Sequence, residues 1–469
     1  MNCRSYALMR SIEKVSGSSI FSKQPNQTYY SNHVYLCQKE LFMHSYAKRF
    51  RYFAVMALSF CAHNAFAQWE QITPENEVVV SVPGGGEKTV YPSCSLPALP
   101  GPEGLAPNPF SFYFEQGESD NLLIYFNGGG ACWDSATCLA SMQLEFDDNP
   151  MSRAAYNPSA VIENTPFISG GIFEDTQENP FQTWSKVFIP YCTGDLHLGS
   201  KDTQYVDELG IVTGLPGAEV TLKHRGHDNA LVVMQWIKEK LNNDDLSPNK
   251  VLLSGSSAGG YGATFNFPYF QSLFGRTKVA LFADASLGVI SRGFTQTVLN
   301  YQGPWGIEDT LPRNFQSLIG NFNHLTLNKQ VMLRLAYQYP WNRFAQYSTG
   351  TDIVQIQFSK ISDQVSRGNL DPTTWGVTES DLGYILGWQL QANASLHALS
   401  AFTWNYQFYL GEGTCHMVLN DFCEDNAFPV SSPSPFYNEQ SARGISFNEW
   451  LHTFATSRRF RENSAAYYH

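Results

Sequence analysis

VLLSGSSAGGYGA, residues 251–263, reads as a strand, a sharp turn and the start of a helix. An apolar run ends at Gly255 and is followed by Ser256-Ser257-Ala258-Gly259-Gly260, so Ser257 sits between Gly255 and Gly259 as G-x-S-x-G. A serine on such a turn is forced into strained backbone angles. The flanking glycines let strand and helix approach without a Cβ clash, and the hydroxyl is left pointing out of a sheet edge. This is the pattern of a nucleophile elbow. The rival reading, a phosphate cradle, lacks the G-x-x-x-x-G-K frame.

Upstream, NLLIYF at 121–126 runs into Asn127-Gly128-Gly129-Gly130. Three glycines after an apolar strand can turn several backbone N–H groups toward one point. The amides of this loop, joined by that of Ala258, are the candidate oxyanion-hole donors. Further apolar runs at 111–114, 186–190, 278–284 and 352–358 read as buried strands of a mostly parallel sheet. Between them, HDNALVVMQWIKEKLNN repeats apolar residues at helical spacing, with Asp228 or Asn229 expected as its cap. Strand–helix alternation predicts an α/β fold, mostly parallel, flanked by helices. Residues 68–469 are expected to form a single catalytic domain of this type. Large loop insertions are expected at 134–180 and 291–350, and the Pro- and Gly-rich stretch 69–110 as an extended approach.

A nucleophilic serine needs a base, and the base an orienting carboxylate, in the chain order Ser, acid, His. His324, His397 and His416 follow Ser257. His416, in GEGTCHMVLNDFC between Cys415 and Cys423, is favoured, and His397 is the alternative. For the acid, pattern leaves both Asp284, ending KVALFAD, and Asp352, opening DIVQIQF.

The 469 residues are 43% hydrophobic and 15% charged, far from the composition of a disordered chain. Residues 1–42 show no sustained period and read as a leader upstream of the true start. Residues 43–67 have a basic start at Lys48, Arg49 and Arg51, an apolar stretch, and Ala65-Phe66-Ala67, which together read as a signal peptide. Without residues 1–67, 22 basic and 40 acidic residues remain, a net charge of −18. Such a surface argues against nucleic acid as a partner. No apolar run predicts a membrane span, and the expected state is a monomer, secreted or periplasmic.

Six cysteines remain, which suggests three disulfides among fifteen possible pairings. Short spacing favours Cys132–Cys138 and Cys415–Cys423, leaving Cys94–Cys192. With no C-x-x-C, no metal site and no cofactor are expected.

These segments together resemble the pectin acetylesterase family, which includes Notum-type carboxylesterases. FNGGGACW at 126–133 is similar to the family's L-E-G-G-G-W-C loop, with Asn127 in place of Glu and Ala131 in place of Trp. IPYCTGDLHLG, KHRGHDNALVVMQWI, GSSAGGYGA, FADASLG and TDIVQI resemble further family segments in family order. The resemblance implies an α/β-hydrolase fold with Ser257 as nucleophile, Asp352 as acid and His416 as base. Gly129, Gly130 and Ala258 would be the oxyanion donors, and Asp284 a structural or pocket residue. It implies an esterase working through an acyl-enzyme, most simply on an acetylated polysaccharide such as pectin. The alternatives are a lipase, thioesterase or polyester depolymerase with a longer acyl slot, and a binding protein that has lost turnover.

Overall fold

Along a strand buried on both faces, successive side chains enter opposite cores. In Ser119–Phe126, Leu122, Ile124 and Phe126 pack into one hydrophobic cluster, and Leu123 and Tyr125 into another. Lys250–Ser256 repeats the pattern, with Val251 and Leu253 on one side and Leu252 on the other. Each such Leu or Ile withdrawn from water contributes about 1.5–3 kcal/mol.

The computed structural model describes residues 69–84, 86–95, 109–141, 155–156, 165–166, 170–210, 213–421, 434–441, 443–457 and 459–465. They lie within one compact unit, Ala65–His469. The expected leader and signal peptide fall outside the described residues.

Among the described residues, nine strands form the central sheet. In spatial order they are Glu70–Ile72, Phe112–Glu115, Trp184–Ile189, Ser119–Phe126, Lys250–Ser256, Val279–Asp284, Arg343–Thr349, Tyr406–Gly411 and Ser464–Ala465. The first two pairings are antiparallel and the remaining six parallel. Helices Gly226–Asn242 and Ala258–Gln271 pack on one face and Phe447–Thr456 on the other. This is an α/β-hydrolase-like architecture. No helix of the described residues is long and apolar enough to cross a membrane.

Four expectations require correction. DIVQIQF is not a strand: Asp352 caps the helix Ile353–Ser366, its carboxylate accepting from the N–H of Gln355 at 2.9 Å. The strand in that region is Arg343–Thr349, which belongs to the sheet although it falls inside the insertion expected at 291–350. The helix after His224 is preceded by Arg225 at its cap position, with Asp228 in its first turn. The approach segment also contains structure of its own, the sheet strand Glu70–Ile72 and the hairpin Val78–Ser81 with Glu87–Val90.

Cys94–Cys192 and Cys132–Cys138 are disulfides. Cys415 is disulfide-bonded as well, and the expected partner, Cys423, lies outside the described residues.

Strand order determines where a site can open. From Ser119–Phe126 the chain moves to Trp184–Ile189 on one side, then returns to Lys250–Ser256 on the other and continues outward. The crevice beyond the carboxyl ends of Ser119–Phe126 and Lys250–Ser256 is therefore a topological switch point, where open α/β sheets bind ligands. The glycine loop and Ser257 are the residues that follow those two ends.

Candidate active site

Ser257 joins the strand Lys250–Ser256 to the helix Ala258–Gln271 with φ 54° and ψ −122°. A serine held there stores backbone strain, on the order of 1–3 kcal/mol, which the surroundings must overcome. Its N–H donates to the Asp284 carbonyl at 2.9 Å, and its carbonyl accepts from Gly260 N–H at 3.0 Å. A Cβ on Gly259 would collide with the Phe126 carbonyl oxygen, so only glycine permits this helix to begin here. Ser257 is half-buried, whereas Ser256 and Ala258 on either side are buried.

The glycine loop comes close to this serine. A Cβ added to Gly128 would lie 2.9 Å from that of Ser257. Gly129 and Gly130 have φ of 152° and 74°, backbone that side-chain-bearing residues rarely adopt. Ala258 is the first residue of its helix, so its N–H has no acceptor within that helix, and the helix dipole adds partial positive charge there. Beyond the loop, the amides of Ala131 and Cys132 are already engaged, donating to Ala155 O at 2.9 Å and Gly194 O at 2.8 Å.

The structure joins Asp352 and His416. Nδ1 of His416 lies 2.9 and 3.0 Å from the two Asp352 carboxylate oxygens, and both side chains are buried. Gln355 secures the acid: its backbone N–H donates to Oδ1, and its Nε2 to Oδ2 at 2.7 Å and to the Ser348 hydroxyl at 2.9 Å. The Leu287 N–H holds Gln355 in turn, donating to its Oε1 at 2.8 Å. A carboxylate fixed in this way holds an imidazole in one tautomer and orientation.

Asp284 holds a structural position, not that of the acid orienting the histidine. It ends the strand next to the Ser257 elbow and is fully buried. Its Oδ2 accepts from the Ser256 hydroxyl at 2.8 Å and from the amides of Val418 and Leu419 at 3.0 and 3.1 Å. One carboxylate thus ties the residue before the candidate nucleophile to the residues just after the candidate base. Burial pushes its pKa up to about 7. The base loop is further pinned by the disulfide at Cys415 and by the Thr349 hydroxyl, which donates to the Cys415 carbonyl at 2.8 Å.

His397 lies on the helix Leu382–Phe402 with its ring against Phe408, and His324 accepts at its backbone oxygen from Gln391. Neither is shown in contact with Asp352 or Asp284. Sequence reasoning missed Gln355 and His197. His197 Nε2 bonds the Asn127 carbonyl at 2.9 Å, at the root of the glycine loop, and burial lowers its pKa to about 4, keeping the ring neutral. Asp352-x-x-Gln355 was a readable signal, an acidic cap with Gln at the third helical position. For His197 nothing local was available.

Trp133 packs edge-on against Phe294 and Phe358, with ring centroids 4.9 and 5.8 Å away. Asp195 accepts from the Thr193 hydroxyl and from the amides of His197, Gly199 and Gly226, holding two turns together. Among the described residues, the grouping of metal-ligating type is Cys132, Cys138 and His224. Its two sulfurs are bonded to each other and are not thiolates.

Comparison with known proteins bears on the same segments. Residues 106–297 match the family model Pectinacetylesterase, which takes in the glycine loop and Ser257 and stops before Asp352 and His416. Pectin acetylesterase 11 of Arabidopsis thaliana is 26% identical over 199 residues, 41% of this chain and 44% of that protein. Pectin acetylesterase 4 of the same plant is 25% identical over 34% of each chain. The human palmitoleoyl-protein carboxylesterase NOTUM is 24% identical over 34% of this chain and 28% of its own. The chain therefore matches less than half the length of each of these relatives. Over residues 106–297 the chain is thus similar to the pectin acetylesterase family, and distantly so to its individual relatives.

Proposed function

We propose that the protein is a serine carboxylic-ester hydrolase that works through an acyl-enzyme and is exported to the periplasm or outside the cell. The observation that carries this reading is the buried Asp352–His416 hydrogen bond on the loop that Asp284 ties to the Ser257 elbow.

In the proposed cycle His416 takes the Ser257 proton as the hydroxyl oxygen attacks the ester carbonyl. Asp352 holds the imidazole and stabilises its protonated form. The amides of Gly129, Gly130 and Ala258 receive the negative oxygen of the tetrahedral intermediate, each such donor being worth about 2.7–4 kcal/mol of barrier. The alcohol leaves with the proton from His416. Water, deprotonated by the same imidazole, then attacks the acyl-serine, and the carboxylic acid departs.

For the substrate we favour acetyl esters on a polysaccharide such as pectin, in line with the plant relatives. The human relative, named for removing a palmitoleoyl group, favours a second reading with a longer acyl slot. Nitrophenyl esters of graded acyl length, run beside acetylated polysaccharides, separate the two. Acetate release from polysaccharide with turnover falling beyond short chains supports the first reading, and rising turnover with chain length the second. No turnover of any ester by the folded protein would overturn both.

A further inference from the structure

At the opposite end of the sheet from Ser257, a shallow cleft opens where Lys250–Ser256 and Arg343–Thr349 begin. At roughly 3.3 Å per residue, a seven-residue strand separates it from the catalytic end by about 20 Å. Lys250, Lys278, Arg343 and Arg461 line it with Trp341 and Trp404, and no Asp or Glu among the described residues does so. That is unexpected in a chain with 42 acidic and 30 basic residues. None of the four cations has a carboxylate partner among the described residues. The half-buried Arg343 donates only to neutral groups, the carbonyls of Phe454, Ser457 and Phe460 and the Gln407 side chain. Burial, with Arg461 nearby, lowers its pKa to about 10.

One further feature narrows the ligand. Trp341 and Trp404 are 72% and 52% exposed, and the Arg461 guanidinium lies 5.3 Å from the Trp404 ring centre.

The geometry points to a second, non-catalytic site in this cleft that binds the carboxylate-bearing sugar of an acidic oligosaccharide. The carboxylate meets the unneutralised cations, and the C–H face of the ring lies on an indole. A bare anion leaves the indoles unused. The site stands apart from Ser257 and does not depend on the esterase reading.

The test is titration calorimetry of the full chain at low salt with trigalacturonate, its neutral methyl ester, and a short oligothymidylate. The variants are K278Q/R461Q and Trp341→Ala, exposed positions whose folding is checked by an unchanged unfolding midpoint. The expected result is binding of trigalacturonate that weakens with salt and drops at least about tenfold in each variant, which corresponds to a loss of about 1.4 kcal/mol. Overturning results are no binding at millimolar trigalacturonate, equal binding of the neutral ester, unaltered binding in both variants, or tighter binding of the oligothymidylate.

Discussion

Val418 and Asp284 lie far apart in sequence and are joined by a hydrogen bond of 3.0 Å from the Val418 amide to Asp284 Oδ2, which also accepts from Leu419 and Ser256. The position of the His416 loop relative to the Ser257 elbow therefore depends on one buried carboxylate. Asp284→Ala should leave two buried amides and a hydroxyl without an acceptor, at a cost of about 1–3 kcal/mol for each group left unsatisfied. Because a displacement of about 1 Å can cost on the order of a hundredfold, kcat should fall by that order at conditions where the variant is folded. Steady-state kinetics on nitrophenyl acetate, beside urea unfolding, measure both effects.

Asp352→Asn tests the acid separately from the fold. Asparagine caps a helix as well as aspartate does, so Ile353–Ser366 should persist. The imidazole would lose its orienting charge and tautomer, and kcat should drop about 10⁴-fold. Comparable turnover by this variant would remove Asp352 from the mechanism.

The dependence of stability on pH should carry two opposing contributions. Glu439, buried and bonded to the Tyr347 hydroxyl at 3.0 Å, is pushed up to about 8 from 4.5 by burial, and Asp284 to about 7 from 3.8. Both bind protons more tightly when folded, so their ionisation opposes folding, and stability falls as pH rises from about 4 to 7 or 8. His197, His224 and His227 are lowered to about 4 by burial and act in the other direction, with stability lost as pH falls from 6.5 to 4. Glu439→Gln should thus gain on the wild type by a few kcal/mol above pH 8 relative to their difference at pH 4. Urea midpoints of the two proteins at both pH values give the answer.

The Cys94–Cys192 bridge closes a sequence separation of 98 residues beside the bond from the Ser95 amide to the Cys192 carbonyl at 2.7 Å. Replacing both cysteines with serine should cost about 2–5 kcal/mol. The loss would be seen as a lower urea midpoint.

The turn at Ser257 was legible because its constraint is local: glycines at 255 and 259 are required wherever a strand and a helix approach so closely. The parallel core was legible for the same reason, its strands being continuous apolar runs. Arg343–Thr349 was not, because buried polar residues interrupt its apolar ones. Gln346 bonds the Ser286 carbonyl and the Tyr406 hydroxyl, and Thr349 the Cys415 carbonyl, contacts that only the assembled sheet provides. In DIVQIQF, β-branched and alternating apolar residues suggested a strand. The Asp352 cap and the packing of Ile356, Ile361 and Val365 into the core prevail over that local preference. The part Asp284 plays was hidden because its partners, Val418 and Leu419, are brought to it by folding alone.

The most direct measurement is mass spectrometry of the protein quenched during turnover of a slowly hydrolysed nitrophenyl ester. The acyl mass should appear on the peptide that contains Ser257 and be absent from the Ser257→Ala variant, which should show no turnover. An adduct on any other residue, or full turnover by Ser257→Ala, would contradict the account.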